Sequence, residues 1–254
     1  MSLAVTTSST LTLVDGASLK PHADPLVVQR TPLLTIPKAH AWSPDNNTLY
    51  IISSDSIQSF SPASAALVKL FQSSHGPPLE PVVVSRDRST LIFAQGCTIH
   101  LLAVGSSPAK ITNSLTVHPA LVISLSLSSD ANLLASASAS GTLYVHNLAH
   151  NSHTALKGFA GSPGASSKNL VCAFHPHLRT RLLVCAGKTL VIYDTSRPSG
   201  PIKTINLAEK DGTGTIPSIG YVVAISCSPF SKTLMAVAFN SGFVGLVDLE
   251  RDKQ

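Results

Sequence analysis

The sequence predicts an all-β chain built from about six repeated antiparallel units, and two spacings carry this prediction. A polar corner follows the first strand of each unit and begins at Ser43, Ser85, Ser128, His175 and Ser228, so that successive corners lie 42, 43, 47 and 53 residues apart. The third strand of each unit ends at Asp15, Ser61, Ala103, Asn147, Asp194 and Asp248, with steps of 46, 42, 44, 47 and 54 residues. A period of about 40 to 45 residues with several short strands is typical of the four-stranded antiparallel blades of a β-propeller.

The fourth unit, between Leu121 and Leu148, shows the strand pattern most clearly. Val122 to Leu127 alternates apolar residues with serine, and Leu133 to Ser138 begins apolar and continues with small residues. Ala139-Ser140-Gly141 has the composition of a tight hairpin turn, in which glycine adopts a positive φ without steric cost. Thr142 to Leu148 is rich in β-branched and aromatic residues, as strands are. The pattern predicts three consecutive antiparallel strands, followed by an outer strand near Thr154.

The remaining units repeat this pattern within one predicted domain of residues 1–254, and the blade units are expected at about residues 2–35, 36–79, 80–119, 120–168, 169–218 and 219–254. The first unit supplies strands at Leu3 to Thr6 and Leu11 to Val14, then a linker from Lys20 to Thr35 that is expected to hold an outer strand. The sixth unit, Tyr221 to Leu249, supplies only three strands. An incomplete or open ring is therefore expected, with a gap between the first and sixth units.

Uncovered apolar surface is expected beside that gap, because blades normally cover one another. Val244 and Leu246, in the third strand of the sixth unit, are predicted to be partly exposed there. Stacked blades also explain the composition, in which 44% of residues are hydrophobic and 12% are charged. No apolar run approaches the roughly 20 residues of a membrane-spanning helix, and no secretory signal pattern opens the chain.

The cysteines indicate a reducing, cytoplasmic environment. Cys97, Cys172, Cys185 and Cys227 form no C-x-x-C pair and have apolar neighbours, so all four are predicted to be buried free thiols. Cys172 and Cys185 are expected on neighbouring strands of one blade, without a disulfide.

No residues group as a catalytic, cofactor-binding or metal site would require, so we expect a chain that is not an enzyme and holds no cofactor or metal. His146, His150 and His153 have a loosely metal-like spacing, but they lack a cysteine or carboxylate partner. Gly212 and Gly214 are interpreted as loop residues. The net charge of +5 includes two small basic groups, Arg86 with Arg88 and His175 to Arg181, which are interpreted as solvated surface. Neither a nucleic-acid nor a membrane partner is predicted, and no partner-binding residues are identified.

Three strings carry a resemblance to the WD-repeat β-propeller family, namely "SASASGTLYVHN", "AGKTLVIYD" and "FNSGFVGLVD". The family often ties a blade together through a loop His, a turn Asp, a strand Ser or Thr and the Trp of a WD pair. In the fourth unit the resemblance assigns the loop position to His118 and the strand position to Ser138, whereas Ser140 replaces the Asp and His146 replaces the Trp. No WD pair occurs in the chain. The resemblance therefore implies blades that hold together less tightly.

A narrower resemblance is carried by "LAVTTSSTLTLVDGASL", "NSHTALKGFAGS" and "LVIYDTSRPSGPIKTI". These strings are similar to the N-terminal propeller of the centrosomal WD-repeat adaptors that recruit the γ-tubulin ring complex. That resemblance implies a non-enzymatic interaction scaffold at the centrosome or spindle pole, with γ-tubulin complexes or spindle-pole proteins as partners and a role in microtubule nucleation. The alternatives are a WD-repeat subunit of another multiprotein complex and a propeller hydrolase. The predicted innermost strands are nearly devoid of acidic residues, which disfavours the hydrolase.

Overall fold

The computed structural model consists of β-strands and connecting turns, and the part of the chain that it describes contains no helix. It divides into two compact units, residues 1–115 and residues 116–254, and each has its own sheets and core. Since no helix occurs in the described part, none is long and apolar enough to cross a membrane. The residues described are 2–6, 10–15, 27–32, 37–73, 76, 79–105, 108–157, 169–197, 200–207 and 220–250.

The first unit contains three antiparallel sheets, which we number 1 to 3. Sheet 1 comprises β1 (Ser2–Thr6), β2 (Thr10–Asp15) and β3 (Val27–Pro32). Sheet 2 comprises β4 (Pro37–Trp42), β5 (Leu49–Ser53), β6 (Ser56–Ser61) and β7 (Ala66–Gln72). Sheet 3 comprises β8 (Leu79–Val84), β9 (Thr90–Gln95), β10 (Thr98–Ala103) and β11 (Lys110–Leu115).

The second unit contains three further antiparallel sheets, numbered 4 to 6. Sheet 4 comprises β12 (Val122–Leu127), β13 (Leu133–Ser138), β14 (Leu143–Asn147) and β15 (Ser152–Ala155). Sheet 5 comprises β16 (Leu170–Phe174), β17 (Arg181–Ala186), β18 (Thr189–Asp194) and β19 (Pro201–Asn206). Sheet 6 comprises β20 (Val222–Cys227), β21 (Leu234–Phe239) and β22 (Val244–Asp248).

The polar corners that set the repeat have a physical basis in the sheets that carry a Ser-x-Asp sequence. Ser43, Ser85 and Ser128 each donate a hydroxyl hydrogen bond of 2.6 Å to the aspartate two residues later. Each hydroxyl also accepts a 2.9 Å hydrogen bond from the backbone N–H five residues on. Short polar side chains favour turns because they bond to nearby backbone in this way. The corner thus closes each first hairpin and fixes where the second strand begins.

In the second unit the core lies between successive sheets rather than inside any one of them. Ala135, Ala137, Leu143 and Val145 of sheet 4 pack in one cluster with Phe174, Leu182 and Val184 of sheet 5. The opposite face of sheet 5 packs against sheet 6, where Leu183, Cys185, Leu190 and Ile192 meet Val222, Met235, Val237 and Phe239. Sheet 5 is therefore covered on both faces, which explains its nearly continuous apolar strands.

Sheets 2 and 3 of the first unit pack in the same manner. Tyr50, Ile52 and Ile57 of sheet 2 form a buried cluster with Leu79, Leu91, Phe93 and Leu102 of sheet 3. The Phe71 and Phe93 rings lie 5.2 Å apart in this interface. Apolar burial of this kind contributes about 1.5 to 3 kcal/mol for each fully buried large side chain, so the contacts between sheets dominate the stability of both units.

The all-β, propeller-like organisation predicted from the two spacings is confirmed. The predicted strands of the first unit correspond to β1 and β2, and the expected outer strand in its linker is β3. Gly141 has a φ of 83°, as the predicted hairpin turn requires. Sheets 1 and 6 each have three strands among the described residues. One domain over residues 1–254, and the gap between the first and sixth units, stay predictions. Gly212, Gly214 and most of the two long loops around residues 158–168 and 206–220 lie outside the described residues.

Candidate interaction surface

The free face of sheet 6 is the largest feature that the packing of the second unit leaves uncovered. Alternate residues of β21 point to opposite sides of the sheet. Met235, Val237 and Phe239 are buried against sheet 5, whereas Leu234 is 40% exposed on the other side. On β22, Val244 and Leu246 are 63% and 77% exposed and lie opposite Ala238 and Ala236 of β21. We call this surface the free face: Ala224, Ser226, Leu234, Ala236, Ala238, Val244 and Leu246.

The exposure of Val244 and Leu246 confirms what the sequence predicted for these two residues. Isolated exposed apolar residues are normal, but a contiguous apolar patch marks an interaction site or an aggregation liability. The free face carries no charged side chain among its seven members. Asp248 lies at one end of it, opposite Leu234. The face is therefore suited to contact with another apolar surface rather than with nucleic acid or a charged ligand.

The outer edge of β22 adds a second uncovered feature. Sheets 2 to 5 each end in a fourth strand, whereas β22 pairs only with β21 among the described residues. The outer strands of sheets 2, 3 and 5 carry Lys69, Lys110, and Pro201 with Lys203, respectively. Lysine and proline on an edge strand discourage pairing with another chain. Val244 to Val247 carries neither, so this edge lacks the usual protection.

A buried hydrogen-bond network holds sheet 4 together, and it differs from the one predicted. Ser136, not Ser138, bridges the two histidines: its Oγ lies 2.7 Å from His118 Nε2 and 2.7 Å from His146 Nε2. The resemblance to the WD-repeat family had assigned the strand position to Ser138, and this was wrong. Ser138 lies two residues nearer the hairpin, where its hydroxyl is 2.6 Å from Thr142 Oγ1 and 2.8 Å from Ser140 Oγ.

The network has one direction that satisfies all of its members. The Ser136 hydroxyl has a single proton, so one ring nitrogen donates to it and the other accepts from it. His118 Nδ1 has a partner in Thr142 Oγ1 at 2.9 Å, whereas His146 Nδ1 has no hydrogen-bond partner among the described residues. His146 therefore donates through Nε2–H to Ser136, Ser136 donates to His118 Nε2, and His118 donates through Nδ1–H to Thr142. Burial lowers the pKa of both His118 and His146 to about 4, and for His146 the neighbouring His118 and His153 oppose its charge as well.

The three histidines with metal-like spacing do not converge on one point. His146 is buried and bound to Ser136, while His153 lies across from it on β15, with ring centroids 6.0 Å apart. His150 lies in the exposed turn, where its backbone N–H donates to Asn147 Oδ1. Within the described ranges, no three His, Cys, Asp or Glu side chains are grouped as a metal site would require.

The basic groups take part in local contacts at the corners. Arg88 forms an ion pair with Asp45, which joins the corners of sheets 3 and 2. Arg179 lies 3.8 Å from Asp130. His175 is fully buried: its Nδ1 accepts hydrogen bonds from the backbone N–H groups of His177 and Leu178, and its Nε2 donates to the Lys232 carbonyl. That last bond joins the corners of sheets 5 and 6, so His175 has a structural role that its position in a basic segment did not reveal.

The cysteine prediction is confirmed for two residues and wrong for one. Cys172 and Cys185 are buried free thiols on neighbouring strands, and burial raises their pKa to about 11 and about 12. Cys227 is half-buried, and burial raises its pKa to about 11. Cys97 is exposed, because it lies in the two-residue hairpin between β9 and β10 beside Gly96, whose φ is 65°. The Gly96-Cys97 pair between two apolar runs was the sequence signal for that turn.

Comparison with known proteins finds no relative of this chain. No protein-family model matches it, and no curated protein matches it. The WD-repeat resemblance therefore rests on the three strings "SASASGTLYVHN", "AGKTLVIYD" and "FNSGFVGLVD", and the free face and edge of sheet 6 are the structural basis for a function.

Proposed function

We propose that the chain is a non-enzymatic protein–protein interaction scaffold and that the free face of sheet 6 is part of its binding surface. The observation that carries the proposal is the pair Val244 and Leu246, which are 63% and 77% exposed on a face without charged side chains. Large apolar residues at the centre of an uncovered patch commonly supply most of the energy of a protein contact. The unpaired edge of β22 offers backbone N–H and C=O groups beside the same patch.

The narrower proposal is an adaptor of the centrosome or spindle pole that acts in the recruitment of γ-tubulin complexes. Its support is the resemblance of residues 3–19, 151–162 and 190–205 to the centrosomal WD-repeat adaptors. A WD-repeat subunit of another multiprotein complex is the alternative. Both proposals share the scaffold role and differ only in the partner.

Affinity capture from an extract of dividing cells tests the two levels separately. The chain is used as bait beside Leu246→Asp, which places a charge on the free face, and Phe230→Ser, which changes a 96% exposed residue outside that face. We expect γ-tubulin complex or spindle-pole proteins to be retained by the wild type and by Phe230→Ser, and to be lost with Leu246→Asp. Retention of unrelated complexes with the same sensitivity to Leu246→Asp would remove the centrosomal role only. Equal retention by all three baits would remove the free face from the proposal.

A further inference from the structure

We infer that the free face of sheet 6 is a docking face for another antiparallel β-sheet of the blade type, one that presents large aliphatic or aromatic residues on its first two strands. This rests on the proposed scaffold function and specifies the kind of partner. The contact between sheets 4 and 5 is the reference, because the face that sheet 4 uses there corresponds to the free face position by position. Val145 and Leu143 of β14 correspond to Leu246 and Val244 of β22, and Ala135 and Ala137 correspond to Ala236 and Ala238.

The burial of these corresponding positions differs completely. Leu143 and Val145 are 1% and 7% exposed, and their counterparts in sheet 5, Leu190 and Ile192, are 0% and 3% exposed. In both cases the cover is the next sheet along the chain. The same pattern of side chains in sheet 6 is therefore a surface that the fold buries wherever a further sheet is present.

A polar contact makes the correspondence more specific. Ser126 Oγ on β12 accepts a 2.8 Å hydrogen bond from the Phe174 backbone N–H on β16 of the next sheet. Ser226 occupies the same position, since Ser126 lies opposite Ala135 and Ser226 lies opposite Ala236. Ser226 is exposed and has no hydrogen-bond partner among the described residues. Sheet 5 has Ala173 there, opposite Leu183. Sheet 6 thus resembles sheet 4 in offering a hydroxyl acceptor for the backbone N–H of an incoming strand.

The relief of the free face also matches the cover that sheet 4 receives. Its β20 and β21 present small residues, Ala224, Ser226, Ala236 and Ala238, whereas β22 presents Val244 and Leu246. The result is a shallow trough beside a ridge. In the contact between sheets 4 and 5, the corresponding alanines pack with Phe174, Leu182 and Val184. A sheet with similarly large residues on its first and second strands fits the trough.

The size of the face argues against a second copy as the occupant. Three strands about 4.8 Å apart and six residues of about 3.3 Å give a face of about 300 Å². A stable protein–protein interface buries about 800 Å² on each partner, so face-to-face pairing of two copies would leave the contact too small to persist. A blade-type sheet that is held by a tether or by further contacts does not face that limit.

The chain's own fifth unit is the best probe, because sheet 5 is the sheet that covers the corresponding face of sheet 4. Residues 169–206 are appended after Gln254 of the full chain through a flexible glycine–serine linker of about 14 residues, which gives an effective concentration in the millimolar range. Hydrogen exchange is followed at the backbone amides of Val244 to Val247. We expect exchange at these amides to slow at least tenfold relative to the chain without the appended unit.

Two controls and a conservative variant define the outcomes. Leu182→Asp with Val184→Asp, made only in the appended copy, should abolish the protection, and Ser226→Ala should reduce it about fivefold because one interstrand hydrogen bond is lost. Unchanged exchange in the fusion overturns the inference, as does protection that survives the two aspartates. Protection of the unfused chain that rises with its concentration would identify a second copy as the occupant and also overturn it. Loss of partners with Leu246→Asp in the capture experiment, together with an unprotected fusion, would leave the scaffold function standing without a blade-type partner.

Discussion

Sheets 4 and 6 present nearly the same outward face, yet one face is buried and the other is open. In sheet 4 the alanines of β13 and the large residues of β14 lie under sheet 5, whereas their counterparts in sheet 6 lie in solvent. The opposite faces differ in another way. Sheet 4 carries the polar chain from His146 to Thr142 there, and sheet 6 carries Val237 and Val247 at the positions of Ser136 and His146.

This comparison shows that side-chain pattern and burial are separate properties in a repeat protein. The pattern is set by the repeat, while burial depends on whether a neighbouring sheet is present. A residue in the free face therefore has a sequence suited to a core and the environment of a surface, which is the combination expected of a docking site. Matched substitutions at corresponding positions of the two sheets can test this distinction.

The largest expected effect is the difference between Leu143→Asp and Val244→Asp. Leu143 is 1% exposed between two sheets, so an aspartate there buries an unpaired charge and costs several kcal/mol, a large part of a total stability of about 5 to 15 kcal/mol. Val244 is 63% exposed, and its aspartate variant should change stability by less than about 0.5 kcal/mol. Urea unfolding followed by circular dichroism measures both. Similar losses in the two variants would show that the free face is covered.

Ser136→Ala and Ser138→Ala distinguish the observed network from the predicted one. Removing the Ser136 hydroxyl leaves two buried histidine nitrogens without their partner, and each unsatisfied group costs about 1 to 3 kcal/mol. Ser138 joins only hydroxyls near the hairpin, so its loss should cost about 1 kcal/mol. The free energies of unfolding of the two variants give the comparison, with Ser226→Ala on sheet 6 as the solvent-exposed control. A larger loss with Ser138→Ala would favour the assignment made from the sequence.

The same network should make stability depend on pH. The pKa of both His118 and His146 is lowered from 6.5 to about 4 in the folded chain, mainly by burial. The unfolded chain therefore binds more protons than the folded chain between these values, and stability falls as pH falls from about 6.5 towards 4. With allowance for solvent access to His118, we expect a loss of about 2 kcal/mol between pH 7 and pH 4.5.

The titratable groups that face these two rings are Tyr144, 5.0 Å from His118, and His153, 6.0 Å from His146. His146→Val, which introduces the residue that sheet 6 has at Val247, should flatten the pH profile. His150→Ala changes an exposed loop histidine and should leave the profile as it is. Chemical unfolding at several pH values provides the measurement, and a wild-type profile that is flat over this range would contradict the prediction.

The sequence predicted the repeated strands well because each rests on local chemistry. Alternating apolar residues, the Ser-x-Asp corner and the Ala139-Ser140-Gly141 turn all act within a few residues of one another. It did not distinguish Ser136 from Ser138, since both point to the same face of β13 and only the depth reached by His118 selects between them. The role of His175 was also hidden, because its partner Lys232 lies 57 residues away in the next corner. The exposed Leu246 was predicted from the missing strand, whereas the match of Ser226 to Ser126 required the strand register.

The smallest expected effect concerns the corners, where Asp130 of sheet 4 corresponds to Phe230 of sheet 6. Asp130 accepts hydrogen bonds from the Ser128 hydroxyl at 2.6 Å and from the Asn132 backbone N–H at 3.2 Å. The Ser128 bond is the main reason that the pKa of Asp130 is lowered. Asp130→Ala should therefore cost about 1 kcal/mol, whereas Phe230→Ala, at a residue 96% exposed, should change stability by less than about 0.5 kcal/mol.

The pH dependence separates this corner from the histidine network. A lowered aspartate pKa stabilises the folded chain above the ordinary value of 3.8, and that contribution is lost only as pH falls below it. The difference in unfolding free energy between wild type and Asp130→Ala should hence stay constant from pH 7 to pH 5, where the histidines already titrate in the unfolded chain. Unfolding of both proteins at these two pH values provides the check. A difference that shrinks within this range would mean that Asp130 is coupled to the histidines, and the corners of sheets 4 and 6 would then differ in more than one hydrogen-bonded turn.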